Sequence, residues 1–288
     1  MNGHFVCDID PVFCTFFGLE IRYYSILLCI GFNIAVLALL AFLLNEKVNE
    51  DDAFSLIVYI FLSLQIGLRL FEALFYSTQL LDCNILEILL PIKITDGGIQ
   101  FNPFSGLSGH GAILGIIIVL FIFCKSKGLS FLKLLDHITP YVCIAGALVR
   151  IGNFCNSEIL GHRTNSFLGV IFLRVDTVPR YPVQLFESAS YFFIAFLHFI
   201  ILRFLVKGRE DKFRSGFTAS LTIVLVYISR VLLEFIKNPV SNNDRFLSMN
   251  LGIKYGQLLS FGFILVFLII LLYRSPLYFF LNKKKEIS

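Results

Sequence analysis

Tryptophan is absent from this 288-residue chain and charge is scarce, with Lys, Arg, Asp and Glu together making up only 15% of it. Soluble domains carry about a quarter charged residues, so that scarcity, together with 57% hydrophobic residues, excludes an ordinary water-soluble fold and points to a membrane protein. Without Trp, anchoring at the lipid–water boundary falls to Tyr and Phe. The seven cysteines form no Cys-x-x-Cys or Cys/His ligand spacing, and their odd number and scatter read as small apolar fillers, not as a metal site or disulfide framework. No internal repeat or low-complexity tract is visible, so residues 1–288 are expected to form a single membrane domain. The first ten residues lack the basic region and apolar core of a cleavable signal, which leaves targeting to the first span.

What the chain does have is long apolar runs. A spanning helix needs about 20 mostly apolar residues, and seven segments qualify, near 22–44, 54–76, 108–124, 136–154, 188–206, 216–236 and 255–275. The third is short, and Pro140 interrupts the fourth. The expected fold class is an all-α, polytopic integral membrane protein of about seven helices. Orientation follows from the basic residues. Lys125, Lys127 and Lys133 follow the third span, Arg203, Lys207, Arg209, Lys212 and Arg214 the fifth, and Arg274 with Lys283-Lys284-Lys285 the last. These regions are expected to be cytoplasmic, although the acidic connection 45–52 dissents. Alternation then puts the N-terminus outside and the C-terminus inside. The outer segment 156–184 is expected to lie partly on the membrane surface.

On that orientation the unusual polar residues gather in the outer half. Arg69 and Glu72 come late in the second span, Arg150 at the end of the fourth, Arg230 and Glu234 late in the sixth, and His110 opens the third just after the turns at Asp96-Gly97-Gly98 and Asn102-Pro103. A central Arg costs about 2.5–3.5 kcal/mol on insertion scales, so it needs a partner and marks a functional site by default. Arg230 and Glu234 share a helical face, as do Arg69, Glu72 and Tyr76, and any one such pair reads equally well as structural pairing. Three arginines at one depth argue for more, because two guanidiniums match a phosphate bidentately. His198, in an apolar run, reads as a packed residue and not as a ligand.

The stretch Arg150-Ile-Gly-Asn-Phe-Cys-Asn-Ser-Glu-Ile-Leu-Gly161 closely resembles the signature of the bacterial prolipoprotein diacylglyceryl transferase family, G-R-x-G-N-F-x-N-x-E-x-x-G. Further blocks follow the family order: Tyr23-Tyr24, Arg69 with Tyr76, His110-Gly111, Arg180-Tyr181-Pro182-Val183-Gln184-Leu185-Phe186-Glu187, Arg230 to Phe235, and Gly256 to Ser260. Departures are Val149 where the family usually has Gly, Ala112 where a second Gly is common, Val226 in place of a frequent Tyr with Tyr227 one residue later, and Lys237 where Arg is frequent.

The resemblance implies transfer of the diacylglyceryl group from phosphatidylglycerol to the lipobox cysteine thiol of a prolipoprotein, the first step of bacterial lipoprotein maturation. It implies an inner-membrane enzyme with its site toward the outer leaflet. Arg150 and Arg230 are the phosphate-handling pair, with Asn153, Glu158 and Gly161 building the signature site and Tyr24, Arg69 and Glu234 joining the phosphatidylglycerol-binding set. His110 is expected as the general base, or equally as a group that orients the headgroup. Partners are phosphatidylglycerol, prolipoprotein signal peptides and membrane lipid, with no nucleic acid, and neither metal nor cofactor is called for. The same buried arginines would also serve an anion transporter or channel, or a scaffold whose charges set helix register. Against transport stand the missing internal symmetry and the one-sided clustering of polar residues.

Overall fold

The computed structural model describes residues 4–76, 83–90, 92–95, 98–101, 109–207, 214–239 and 242–275. The turns expected at Asp96-Gly97 and Asn102-Pro103, the basic Arg209 and Lys212, and the closing lysine run lie outside these residues. The chain is mostly helical, at 68%. Among the described residues seven helices are long and apolar enough to cross a membrane: α1 (Tyr23–Asn45), α2 (Glu50–Phe71), α4 (Gly109–Ser126), α5 (Phe131–Cys155), α6 (Val183–Ile200), α7 (Phe217–Glu234) and α9 (Tyr255–Arg274). Two shorter helices are α3 (Ile85–Leu89) and α8 (Asn242–Leu251). All seven expected spans are present, and the shifts in their ends have local causes.

Helix α2 starts at Glu50 because the Asn49 side chain accepts from the Asp52 amide at 2.7 Å, and Glu50, Asp51 and Asp52 fill the first turn. Carboxylates there offset the positive end of the helix dipole, which explains the acidic first connection. Helices α2 and α6 each widen into a π turn, over Glu72–Tyr76 and Ile201–Val206. Helix α5 runs through Pro140 without breaking. Proline has no N–H to give the carbonyl four residues back, and that carbonyl, of Asp136, lies 3.0 Å from His198 Nε2. A carbonyl can only accept, so Nε2 carries the proton and Nδ1 accepts from the Thr222 hydroxyl at 2.7 Å. His198 is thus a buried, hydrogen-bonded strut joining α5, α6 and α7.

Contacts group the chain into two compact units, the first built from residues up to Phe42, Leu132–Asn238 and Gly256 onward, the second from Leu43–Phe131 and Pro239–Tyr255. In the first unit the loops carry short strands that apolar periodicity did not announce. Strand β1 (Phe5–Cys7) pairs in parallel with β6 (Val170–Phe172), which pairs antiparallel with β7 (Pro179–Arg180). Cys7, Phe154, Val170 and Phe172 form a small core between this sheet and the end of α5. The segment 156–184, expected to lie partly on the membrane surface, supplies β6 and β7. A hairpin of β2 (Val12–Phe16) and β3 (Leu19–Arg22) turns at Phe17 and Gly18, both at positive φ, and runs straight into α1. Helices α1 and α5 touch closely, since a Cβ on Gly31 would lie 2.9 Å from Ala145 Cα.

In the second unit α2 and α4 pack backbone to backbone. A Cβ on Gly67 would meet the Gly111 carbonyl oxygen at 2.2 Å, and one on Gly115 the Ser63 carbonyl oxygen at 2.5 Å. Small residues spaced by four permit that approach. Gly111 and Gly115 thus serve helix packing. A hairpin of β4 (Ile92–Thr95) and β5 (Gly98–Phe101) follows α3.

Candidate active site

The signature begins as the last turn of α5 and ends it. The Glu158 amide donates to the Asn153 carbonyl at 2.9 Å and the Ser157 amide to the Phe154 carbonyl at 3.0 Å, with Ser157 left-handed at φ 54°. This is the double hydrogen bond of a Schellman ending. Ile159 is also left-handed, at φ 56°, a conformation that costs about 1–2 kcal/mol for a β-branched residue. The reversal brings Glu158 back over its own helix. Its Oε2 accepts from Asn153 Nδ2 at 3.2 Å and its Oε1 from Asn156 Nδ2 at 3.1 Å. Asn153 in turn accepts from Arg150 Nη1 at 3.2 Å, so Arg150, Asn153 and Glu158 form one chain of hydrogen bonds. Tyr24, at the start of α1, packs on Gly152, whose Cβ would lie 3.0 Å from Tyr24 Cα.

Helix α6 brings the counter-charge. Gln184, Glu187 and Tyr191 lie on one face and are all buried. Gln184 Nε2 donates to the Glu158 carbonyl, holding the signature loop down. The Glu187 carboxylate is 1% exposed, and its Oε2 lies 2.9 Å from Arg150 Nε while Oε1 lies 3.6 Å from Lys237 Nζ. Lys237 is itself buried and reaches Glu234 at 3.4 Å. Arg230, one turn before the end of α7, also feels the Glu187 charge; its Nη1 donates to the Tyr191 hydroxyl at 3.3 Å. Its Nε is buried and has no acceptor among the described residues. The Glu234 carboxylate lies against Gly256 at the start of α9, where a Cβ would sit 3.2 Å from it.

Three cations, Arg150, Arg230 and Lys237, therefore stand with three carboxylates, Glu158, Glu187 and Glu234, where α5, α6 and α7 meet. Glu187, Glu234 and Lys237 are buried, Arg150 and Arg230 partly so, and Glu158 is exposed; buried charges survive only when paired and hydrogen-bonded. Gly161 does not reach the charges by its own atoms. Its amide donates to the Tyr181 carbonyl at 3.1 Å, it bridges to Lys237, and a Cβ there would come within 2.6 Å of the Tyr181 oxygen. Its role is a backbone crossing that no side chain would allow. Beyond the cluster, Arg180 holds Asp176 at 2.5 Å, which keeps the Asp176 carboxyl below its ordinary pKa.

In the second unit, Arg69 and Glu72 are buried late in α2, and Arg69 Nε donates to the Ile88 carbonyl at 2.7 Å, tying down α3. His110 is buried on the first turn of α4, next to the Gly111 contact with α2.

A family model described as prolipoprotein diacylglyceryl transferase matches residues 11–273. This chain belongs to the prolipoprotein diacylglyceryl transferase family. It is 31% identical over 280 residues to a phosphatidylglycerol–prolipoprotein diacylglyceryl transferase of Bacteroides fragilis, covering 97% of this chain and 96% of the relative. A protein of the same name from Tolumonas auensis is 31% identical over 266 residues, covering 92% and 95%, and one from Chlorobaculum tepidum is 30% identical over 261 residues, covering 90% and 87%.

Within this transferase-family chain, sequence reasoning found both ends of the cluster and missed its centre. Glu187 closes the Arg180–Glu187 block without a role that linear sequence assigns, and Tyr191 lies outside every block. A signal was there: Gln184, Glu187 and Tyr191 recur at helical spacing on an otherwise apolar span, and a polar stripe inside a membrane helix is itself a functional hint. Tyr227, one residue from the frequent family Tyr, has its ring stacked on Phe263 with centroids 4.5 Å apart.

Proposed function

We propose that this protein transfers the diacylglyceryl group of phosphatidylglycerol to the lipobox cysteine thiol of a prolipoprotein, as a single membrane-embedded enzyme of the inner membrane. Its N-terminus lies outside, its C-terminus is cytoplasmic and its site faces the outer leaflet. The observation that carries this reading is the buried Nε of Arg230, which has no acceptor among the described residues and belongs to a guanidinium that shares the Glu187 charge with Arg150. An unsatisfied buried donor costs about 1–3 kcal/mol. With Nη1 held by Tyr191, Nε and Nη2 form one open edge, the fork that fits two phosphate oxygens.

The thiolate attacks the terminal glycerol carbon of the diacylglyceryl group, the S–C bond forms, and the C–O bond to phosphate breaks with its electron pair going to the phosphate. Glycerol phosphate leaves. The phosphodiester enters with one negative charge and departs as a monoester carrying about −1.5 to −2, so negative charge grows against the guanidiniums, where fixed donors lower a barrier most. A thiol of pKa about 8.5 is mostly protonated at neutral pH, and His110 is assigned as the base that takes its proton. Lateral entry suits both substrates, since the phospholipid and the signal helix already lie in the membrane.

The test is to incubate purified protein with phosphatidylglycerol and a lipobox peptide and to follow thioether-linked lipid on the peptide by mass spectrometry. Arg230→Lys keeps the charge and loses the fork, so transfer should fall about a hundredfold while the protein still inserts. Wild-type protein that makes no lipidated peptide defeats the transfer reading, and an Arg230→Lys protein with ordinary turnover defeats the phosphate fork.

A further inference from the structure

We infer that Tyr191 is a positioning residue for this reaction, fixing the aim of Arg230 and its spacing from Arg150; the inference rests on the transfer reading above. Tyr191 lies one turn beyond Glu187 on the same face of α6 and is 5% exposed. Its hydroxyl accepts from Arg230 Nη1 at 3.3 Å. A phenol directs a guanidinium without neutralising it, whereas the Glu187 carboxylate, 2.9 Å from Arg150 Nε, does neutralise its partner. The two arginines are therefore held by chemically different groups from one helix. Arg150 is balanced at Nε, and Arg230 is pinned at Nη1 with the Nε and Nη2 edge left open and Nε buried without an acceptor among the described residues.

The ring contributes separately. It lies on α5 at Gly146, where a Cβ would sit 3.4 Å from Cδ2 and 3.7 Å from Cε2. Gly146 is one turn before Arg150 on the same face of α5. Tyr191 thus spans from the Arg150 face of α5 to the Arg230 side chain of α7, and its ring sets how far apart the guanidiniums stand. Position 226, one turn before Arg230 on its own helix, holds Val and offers no hydroxyl. The hydroxyl comes instead from α6.

Tyr191→Phe keeps the ring and removes the pin. In purified protein, kcat for transfer should fall about tenfold while KM for phosphatidylglycerol stays within about twofold, because aim matters most as charge develops on the phosphate. The melting temperature should move by no more than about 2 °C. Tyr191→Leu, which also removes the ring, should lose more kcat than Tyr191→Phe. An unchanged kcat in Tyr191→Phe, a loss confined to KM, or a loss that tracks lowered stability overturns the positioning role. Any of these with an active wild type leaves the transfer reading standing. An inactive wild type overturns the transfer reading and this inference with it.

Discussion

Replacing Glu187 by Gln removes one negative charge from the centre of the cluster and almost no volume. The carboxylate is 1% exposed and faces Arg150 at 2.9 Å and Lys237 at 3.6 Å. At an effective dielectric of about 20, those separations correspond to about 6 and 5 kcal/mol of attraction. Desolvating the ions offsets most of that, and removing one partner of a buried pair typically costs about 3–5 kcal/mol, because the other charge remains buried and unbalanced. Glu187→Gln should therefore lower the melting temperature by on the order of 10 °C. With no Trp to report unfolding, the natural probe is a thiol-reactive fluorophore, since Cys7, Cys124 and Cys143 are buried. Heating detergent-purified protein would follow their exposure. Adding Lys237→Met to Glu187→Gln restores three-cation, three-carboxylate balance as two against two and should recover part of the loss. A Glu187→Gln protein that melts with the wild type refutes the claim that this carboxylate holds the cations together.

Asp136 caps α7 from another helix, accepting from the Gly216 amide at 2.5 Å, the Thr218 hydroxyl at 2.7 Å and the Ala219 amide at 2.8 Å; Asp136→Ala should cost about 1–2 kcal/mol, read as a lower melting temperature with unchanged transfer per folded molecule. Asp176 is held below its ordinary pKa chiefly by its hydrogen bond from Arg180. Its stabilising effect is therefore complete above the unfolded pKa of about 3.9 and is lost as pH falls through the lower folded value. Hydrogen-exchange protection of the Val178 amide, which donates to Asp176 at 3.1 Å, should drop in that acid window in wild type and be low at every pH in Asp176→Asn.

The spans were legible because a run of about 20 apolar residues has few other ways to satisfy its backbone in lipid. Their ends were less so. Pro140 read as an interruption because the missing N–H is visible in sequence, whereas the His198 imidazole that takes up the freed carbonyl comes from 62 positions away. The parallel pairing of Phe5–Cys7 with Val170–Phe172 left no periodic trace, since three-residue strands are too short to show alternation. In the site, Arg150, Asn153 and Glu158 were legible as a group because they are local, within one helix ending. Glu187 and Tyr191 were not, because their meaning depends on which face of α6 turns toward α5 and α7.

Sequence alone determined that this chain enters a membrane with seven apolar helices, and that its polar residues are too costly there to be incidental. It also determined the family, because the signature is contiguous. Only the tertiary structure decided which charges meet. Helix packing in lipid is set by small residues and shape: Gly31 and Gly152 bring α1 close to α5, and Gly146 seats the Tyr191 ring of α6 on α5, the face of α6 on which one carboxylate serves two cations and one phenol aims an arginine. Charge pairing across helices is a property of three-dimensional spacing, and no stretch of linear sequence contains it.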